Sequence, residues 1–263
     1  MSLDQVSVAF HRGGADERVA LDSVTLTVPE GQFSIVIGSN GAGKSTLLNA
    51  VSGVVAPHAG RIAIDGEDCT AWPEHRRARR IARVMQDPMR GTLPALTVEE
   101  NLALAEMRSH GRGLAPALTA RRRARYAEAL AFVGLGLEER LASRVGLLSG
   151  GQRQVLALAM AVLDPPRLLL LDEHCAALDP RTAERVMDAT LRAAQSACIT
   201  TLMVTHNMQH AIAFGDRVLM MDAGAIRLDL AGEAKRALTV ETLIERFRLA
   251  DDKMLLAARG ATP

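Results

Sequence analysis

Short, wholly apolar runs alternate along the chain with longer amphipathic stretches, the pattern of an α/β protein. Val24 to Val28 alternates apolar and polar positions and predicts a half-buried strand. Pro29-Glu30-Gly31 turns the chain into Phe33 to Ile37, a run too apolar to have a wet face. A glycine-rich loop and a helix from about Gly43 to Ser52 follow, stopped near Gly53. Arg61 to Ile64 predicts another strand, and Asp65-Gly66 a tight turn. From about Trp72 to Ala142 helical patterns dominate, punctuated by Pro73, Pro88, Pro94 and Pro116, with a soft stretch at Ser109 to Pro116. After Ser149 the alternation resumes. A helix from Gly151 to Leu163 ends before Pro165-Pro166, and Leu168 to Leu171 reads as a buried strand. Then come a helix after Pro180, a strand at Ile199 to Val204, a hairpin around Ala223-Gly224 and a helix near Thr239 to Phe247. These elements divide into an α/β core of residues 1–86 and 145–232, a helical subdomain of residues 87–144 and a helical tail of residues 233–263.

Composition narrows the function. Charge is balanced, with 31 basic against 30 acidic residues, so no global field draws the chain to nucleic acid or anionic lipid. Cys69, Cys175 and Cys198 give neither a disulfide framework nor metal-ligand spacing, as expected in a reducing cytosol. The longest apolar run, Val155 to Leu163, falls well short of the ~20 residues that span a bilayer. No signal peptide is legible, so any work at a membrane is expected to go through a partner.

Gly38-Ser39-Asn40-Gly41-Ala42-Gly43-Lys44-Ser45-Thr46 carries the spacing G-x-x-x-x-G-K-[ST] between a buried strand and a helix. In that setting backbone N–H groups turn inward to cradle phosphate oxygens, and the helix N-terminus adds partial positive charge. Lys44 is expected on the β- and γ-phosphates, Ser45 on Mg²⁺ and Thr46 on a phosphate. Only three of the basic residues are lysine, and Lys44 is the only one in the first 234 positions. A compact ammonium in an arginine-rich chain suits a phosphate pocket that a planar guanidinium does not fit. The loop alone specifies a nucleoside triphosphate and no more.

The strand Leu168 to Leu171 ends in Asp172-Glu173. Ligands of open α/β sheets sit at the carboxyl ends of strands. Asp172 is therefore placed for Mg²⁺ and Glu173 for orienting or deprotonating a water. His206 follows a third strand ending on the same edge, which makes a γ-phosphate contact its expected role. Gln86 sits where the core gives way to the helical insert and is uninformative by itself.

Leu148-Ser149-Gly150-Gly151-Gln152 opens a helix with a serine and two glycines, a second anion-binding N-terminus in one chain. With this segment the chain resembles the nucleotide-binding subunits of ABC transporters over nearly its whole length. Gly38 to Thr46 matches Walker A, Gln86 the Q-loop, Leu148 to Gln152 the signature, Asp172 Walker B and Glu173 the catalytic glutamate. Ala177-Leu178-Asp179 matches the D-loop, and His206 the switch histidine. Phe10 falls where the family stacks an aromatic ring on adenine.

The resemblance implies a P-loop NTPase (RecA-like) core with an N-terminal antiparallel β subdomain and an inserted helical subdomain. It implies ATP and Mg²⁺ as cofactors, with Glu173, His206 and Gln86 in the catalytic set and Ser45, Gln86 and Asp172 around the metal. It also implies a head-to-tail homodimer when ATP is bound. Each ATP would lie between Walker A of one copy and Ser149, Gly150, Gly151 and Gln152 of the other. Partners would be an integral-membrane permease and an external solute-binding protein, and the protein would sit peripherally on the cytoplasmic face of the membrane.

A narrower likeness, to bacterial amino-acid and small-solute importers, rests on Gln86-Asp87-Pro88, Leu96 to Leu102, Asp172 to Pro180 and Met203 to Met208. His174-Cys175 departs from the proline-threonine pair frequent after the glutamate, and Cys175 near a nucleotide raises a thiol-sensitivity hypothesis. The basic groups Arg76, Arg77, Arg79, Arg80, Arg83 and Arg121, Arg122, Arg123, Arg125 read as solvated helix faces. A lipid or lipoprotein exporter and a cytosolic nucleic-acid-linked ATPase are the alternatives. One cassette, no long heptad insert and a net charge of +1 oppose the second, so no nucleic-acid partner is expected.

Overall fold

The computed structural model describes residues 1–108 and 116–246. In chain order it contains β1 (Ser2–Phe10), β2 (Arg18–Thr27), β3 (Phe33–Gly38), α1 (Lys44–Ser52), β4 (Ala59–Ile64) and β5 (Glu67–Asp68). Next come α2 (Glu74–Arg77), β6 (Ile81–Val84), α3 (Val98–Glu106), α4 (Ala120–Ala131) and α5 (Gly150–Val162). The chain then forms β7 (Leu168–Asp172), α6 (Pro180–Ser196), β8 (Thr200–Val204), α7 (Met208–Phe214), β9 (Arg217–Asp222), β10 (Ala225–Ala231) and α8 (Gly232–Arg236). Residues 240–246 are helical. All but the last residue of the soft stretch at Ser109 to Pro116, and the tail from residue 247 on, lie outside the described residues.

Two sheets carry the fold. One is antiparallel in the order β2-β1-β4-β5, and the other runs β10-β9-β3-β8-β7-β6, with its last five strands parallel. The central strands of the parallel sheet are buried on both faces, so they are largely apolar. Leu169 and Leu171 of β7 point into one core, shared with α5 and α6, whereas Leu168 and Leu170 point into a second, against α1 and the antiparallel sheet. Phe33, Ile35 and Ile37 of β3 divide from Val36 in the same way. The parallel arrangement puts the carboxyl ends of β3, β7 and β8 on one edge, next to a change in strand order, where open α/β sheets bind ligands.

Two departures from the sequence pattern are informative. β6 lies inside the stretch read as helical, pairing in parallel with β7 from Ile81 opposite Leu168 to Val84 opposite Leu171. Four residues with an arginine at the third position give no periodic signal, and pairing with β7 decides the conformation. β1 was not legible either. Its pairing with β2 and β4 shifts register around residues 3–9, and Gln5 takes a positive φ of 49°, so its alternation is broken.

Both short turns form as expected from their residues. Asp65 and Gly66 join β4 to β5, and Ala223 and Gly224 join β9 to β10, with positive φ at both central positions of each. The second turn also braces the glycine-rich loop. Gly224 N–H donates to the Ala42 carbonyl, and its own carbonyl accepts from Asp22 N–H, each at 3.0 Å.

Candidate functional site

The loop after β3 is shaped by glycines that nothing else can replace at two points. Gly43 is the N-cap of α1 at φ 101°, and a Cβ there would lie 2.5 Å from the Ala20 carbonyl oxygen. At Gly38 a Cβ would meet the Met221 carbonyl oxygen at 2.3 Å. Lys44 then folds back along the loop, its Nζ donating to the carbonyls of Gly38 (2.8 Å) and Ser39 (2.9 Å). Burial pushes the Lys44 ammonium down from its ordinary range, against the pull of the nearby Glu173 and Asp172 carboxylates. The far end of α1 is held as firmly. The buried Arg77 guanidinium donates to the carbonyls of Ala50 (2.7 Å) and Val51 (2.9 Å), and also to those of Thr70 and Trp72.

A cavity opens over this loop, lined by Phe10, Arg18, Ala20, Asn40, Gly41, Gly43, Lys44, Ser45, Thr46, Glu173 and His206. Phe10, at the end of β1, is 40 % exposed and therefore available as a platform rather than spent in a core. Glu173 and His206 meet across the cavity at 2.6 Å between Oε1 and Nε2. An ionised carboxylate only accepts, so Nε2 carries the proton in that contact. Asp172 lies just behind, its Oδ2 2.6 Å from Nη2 of Arg83.

A glycine cradle, a buried ammonium and the N-terminus of a nine-residue helix fit a polyphosphate. The Ser45 hydroxyl and Asp172 carboxylate are hard oxygen donors of the kind Mg²⁺ takes when phosphates and water complete its shell. No cluster of three or more His, Cys, Asp or Glu side chains suited to a metal occurs among the described residues. A metal at this cavity would therefore depend on the nucleotide for most of its ligands.

Ser149, Gly150, Gly151 and Gln152 do not line this cavity. They line a separate pocket with Leu135, Ala177, Leu178, Asp179 and Thr182. Ser149 is the N-cap of α5 in a reciprocal capping box. Gln152 N–H donates to Ser149 Oγ, and Ser149 N–H to Gln152 Oε1, both at 3.2 Å. Gln86 is exposed, two residues beyond β6, and is not among the residues lining the cavity over the glycine-rich loop.

The ABC transporter family profile matches residues 21–176, from β2 through Glu173. The chain belongs to the ABC transporter family. This ABC ATPase is 40 % identical over 251 residues to the tyrosine transport ATP-binding protein of Clostridioides difficile, covering 95 % of this chain and 99 % of that protein. It is 35 % identical over 226 residues to the methionine import ATP-binding protein MetN of Corynebacterium efficiens, with 84 % of this chain matching 60 % of that protein. Among solved structures it resembles the dimeric post-hydrolysis state of the ATP-binding cassette MJ0796 bound to ADP and Pi. The TM-score is 0.77 at 28 % identity, covering 90 % of this chain and 99 % of that one. As a member of this family the chain binds nucleotide and hydrolyses ATP. No helix among the described residues is long and apolar enough to cross a membrane.

Three residues of the neighbourhood carry no motif and were missed by sequence reasoning. Arg18 and Ala20 reach the cavity because β2 pairs with β1 (Arg18 lies directly opposite Phe10), a register that no local pattern announces. Arg83 reads as one arginine in a basic run until β6 is recognised as a strand beside β7.

Proposed function

We propose that this ABC ATPase powers import of an amino-acid-like solute through a separate permease, working as two copies that share two ATP molecules. The observation that carries this reading is that the two phosphate-type segments line separate cavities. The phosphate cradle, Glu173 and His206 line one cavity, and the signature residues line another. On this reading each copy supplies half of two sites, and a head-to-tail pair would complete both.

In the proposed site Phe10 stacks on the base, and the backbone from Gly38 to Gly43, with Lys44 and Thr46, holds the phosphates. Ser45 and Asp172 would hold Mg²⁺, whose charge would offset that developing on the transferred phosphoryl group. Gln86 does not line the cavity, and it would join the metal and the attacking water once the two halves close. Glu173 would accept hydrogen bonds from the attacking water, and His206, which gives its Nε2 proton to Glu173 in this structure, would turn that proton to a γ-phosphate oxygen when ATP is bound. Ser149, Gly150, Gly151 and Gln152 address the γ-phosphate of the partner copy's nucleotide. Arg18 adds a second cation over the loop, within about 3.3 Å of where a Gly41 Cβ would lie.

Residues 87–144 are assigned to the permease. A groove lined by Val84, Met85, Pro88, Gly91, Ala105, Ala157 and Met160 runs between the end of β6, α3 and α5. The elements flanking it leave Met89, Leu104 and Met107 exposed. Docking there would place the protein on the cytoplasmic face of a membrane, with an external solute-binding protein delivering cargo. The amino-acid assignment rests on likeness to tyrosine and methionine systems.

Glu173→Gln removes the base while keeping the side chain's size. It is expected to retain ATP affinity, to lower turnover by at least about 10²-fold and to elute as an ATP-dependent dimer on gel filtration. A variant that stays monomeric in saturating Mg-ATP would count against the shared-site mechanism. Loss of tyrosine uptake on deleting the gene would support the cargo, and unchanged uptake would reject it.

A further inference from the structure

Arg83 is the one charged residue of β6, and its side chain is only 13 % exposed. Its neighbours Ala82 and Val84 point into the core shared with α5. Arg83 therefore points to the other face of the sheet, toward α1, where Ile81 packs. A guanidinium in that position costs free energy unless its donors are matched. Two of them are. Nη1 donates to Asn49 Oδ1 at 2.7 Å and Nη2 to Asp172 Oδ2 at 2.6 Å, while Nε is buried without a partner.

The two acceptors belong to different parts of the metal-holding machinery. Asn49 lies four residues after Ser45 on α1, so both side chains project from one face of that helix. Asp172 ends β7. Arg83 thereby ties the helix that presents the Ser45 hydroxyl to the strand that presents the Asp172 carboxylate. It occupies Oδ2 alone, and Oδ1 accepts no hydrogen bond from any described residue.

We propose that Arg83 is a positioning residue for the magnesium of bound nucleotide, clamping Asp172 through Oδ2 and α1 through Asn49 so that Oδ1 and Ser45 face the ion together. This rests on the assignment of Asp172 and Ser45 to the metal made above. The opposite role for the same contact is a counter-ion that neutralises Asp172 and has to be displaced before Mg²⁺ enters. The two differ in sign. A positioning arginine raises the affinity of the nucleotide site for Mg²⁺, as outer partners of ligating carboxylates do, and a competing one lowers it.

The test measures ATP affinity of the full chain by displacement of a fluorescent ATP analogue, in EDTA and across a Mg²⁺ series. Wild type is compared with Arg83→Met, Arg83→Lys, Asn49→Ala and Asp172→Asn, with thermal unfolding recorded for each. Arg83→Met is expected to keep the affinity seen in EDTA and to need roughly 10–100-fold more Mg²⁺ for the same enhancement. Arg83→Lys should recover part of the loss, and Asn49→Ala should shift the requirement in the same direction by less. Should Arg83→Met fail to fold, the lysine and Asn49 variants carry the decision. Mg²⁺ dependence that is unchanged, or shifted to lower Mg²⁺, in the Arg83 and Asn49 variants while Asp172→Asn is impaired overturns the role of Arg83 alone. Unchanged dependence in Asp172→Asn overturns the metal assignment and the inference together.

Discussion

Glu173 adopts a left-handed φ of 47°, a conformation that costs a non-glycine residue about 1 kcal/mol or more. The strain is held by its surroundings. Glu173 N–H donates to the Val204 carbonyl at 3.0 Å, and its carboxylate meets His206. The next residue adds a buried anchor. His174 Nε2 lies 3.2 Å from Thr190 Oγ1, whose own proton goes to the Val186 carbonyl at 2.7 Å. Thr190 therefore accepts, His174 carries its proton on Nε2, and burial lowers its pKa to about 4, so it stays neutral near pH 7. His174 thus ties the loop bearing Glu173 to the middle of α6. Cys175 is buried as well, and burial pushes its thiol up to about 12. A protonated, covered thiol reacts slowly, and the exposed Cys198 is the accessible one. Brief iodoacetamide treatment of the native protein should therefore label Cys198 and leave Cys175 nearly untouched, as read by peptide mass spectrometry. Cys175 labelling at a rate near that of Cys198 would contradict this and restore the thiol-sensitivity hypothesis. Any ATPase loss on alkylation should therefore persist in Cys175→Ser.

At the scale of the element, α5 begins with two glycines that look equivalent in sequence and are not. A Cβ on Gly151 would lie 2.9 Å from Thr182 Cγ2, so this glycine lets the start of α5 approach the first turn of α6. A Cβ on Gly150 would meet nothing within 4 Å. Gly151→Ala is accordingly expected to destabilise by about 1–3 kcal/mol through overpacking. Gly150→Ala should be neutral, or stabilising by up to about 1 kcal/mol. Urea unfolding of the two variants at equal m-value checks both, and equal midpoints would contradict the packing difference. The same contrast marks the limit of sequence reading. β3, β7 and β8 were legible because burial on both sheet faces leaves short runs that are almost wholly apolar or β-branched, and the helix after the glycine-rich loop was legible from the loop before it and Gly53 after it. The motif residues were legible because their spacing is chemical. β6 was not, since Arg83 interrupts four residues whose conformation is set by pairing with β7. Arg18 was not, since its place at the cavity comes from the register of β1 against β2.

For the whole molecule, the freedom around Gly150 separates folding from assembly. Gly150→Glu adds a carboxylate that the isolated fold has room for, and an acidic residue in the first turn of a helix is favourable by a few tenths of a kcal/mol. Stability is therefore expected to hold. In the proposed pair that carboxylate would face the partner copy's phosphates, and like charges in a closed site oppose binding. Lys44→Ala damages the complementary half, the cradle. Each variant alone would form pairs in which both sites are spoiled. A mixed pair holds one site with two intact halves, the cradle from the Gly150→Glu copy and the signature from the Lys44→Ala copy. Its other site carries both defects. Random assortment of equal amounts makes about half the pairs mixed, so ATP turnover should return to roughly a quarter of wild type when two nearly inactive proteins are combined. The recovery should appear only at concentrations and Mg-ATP levels that support association. A mixture no more active than its components, with both variants folded and the mixed pair detected by differential tagging, would argue against sites composed of cradle and signature from opposite copies.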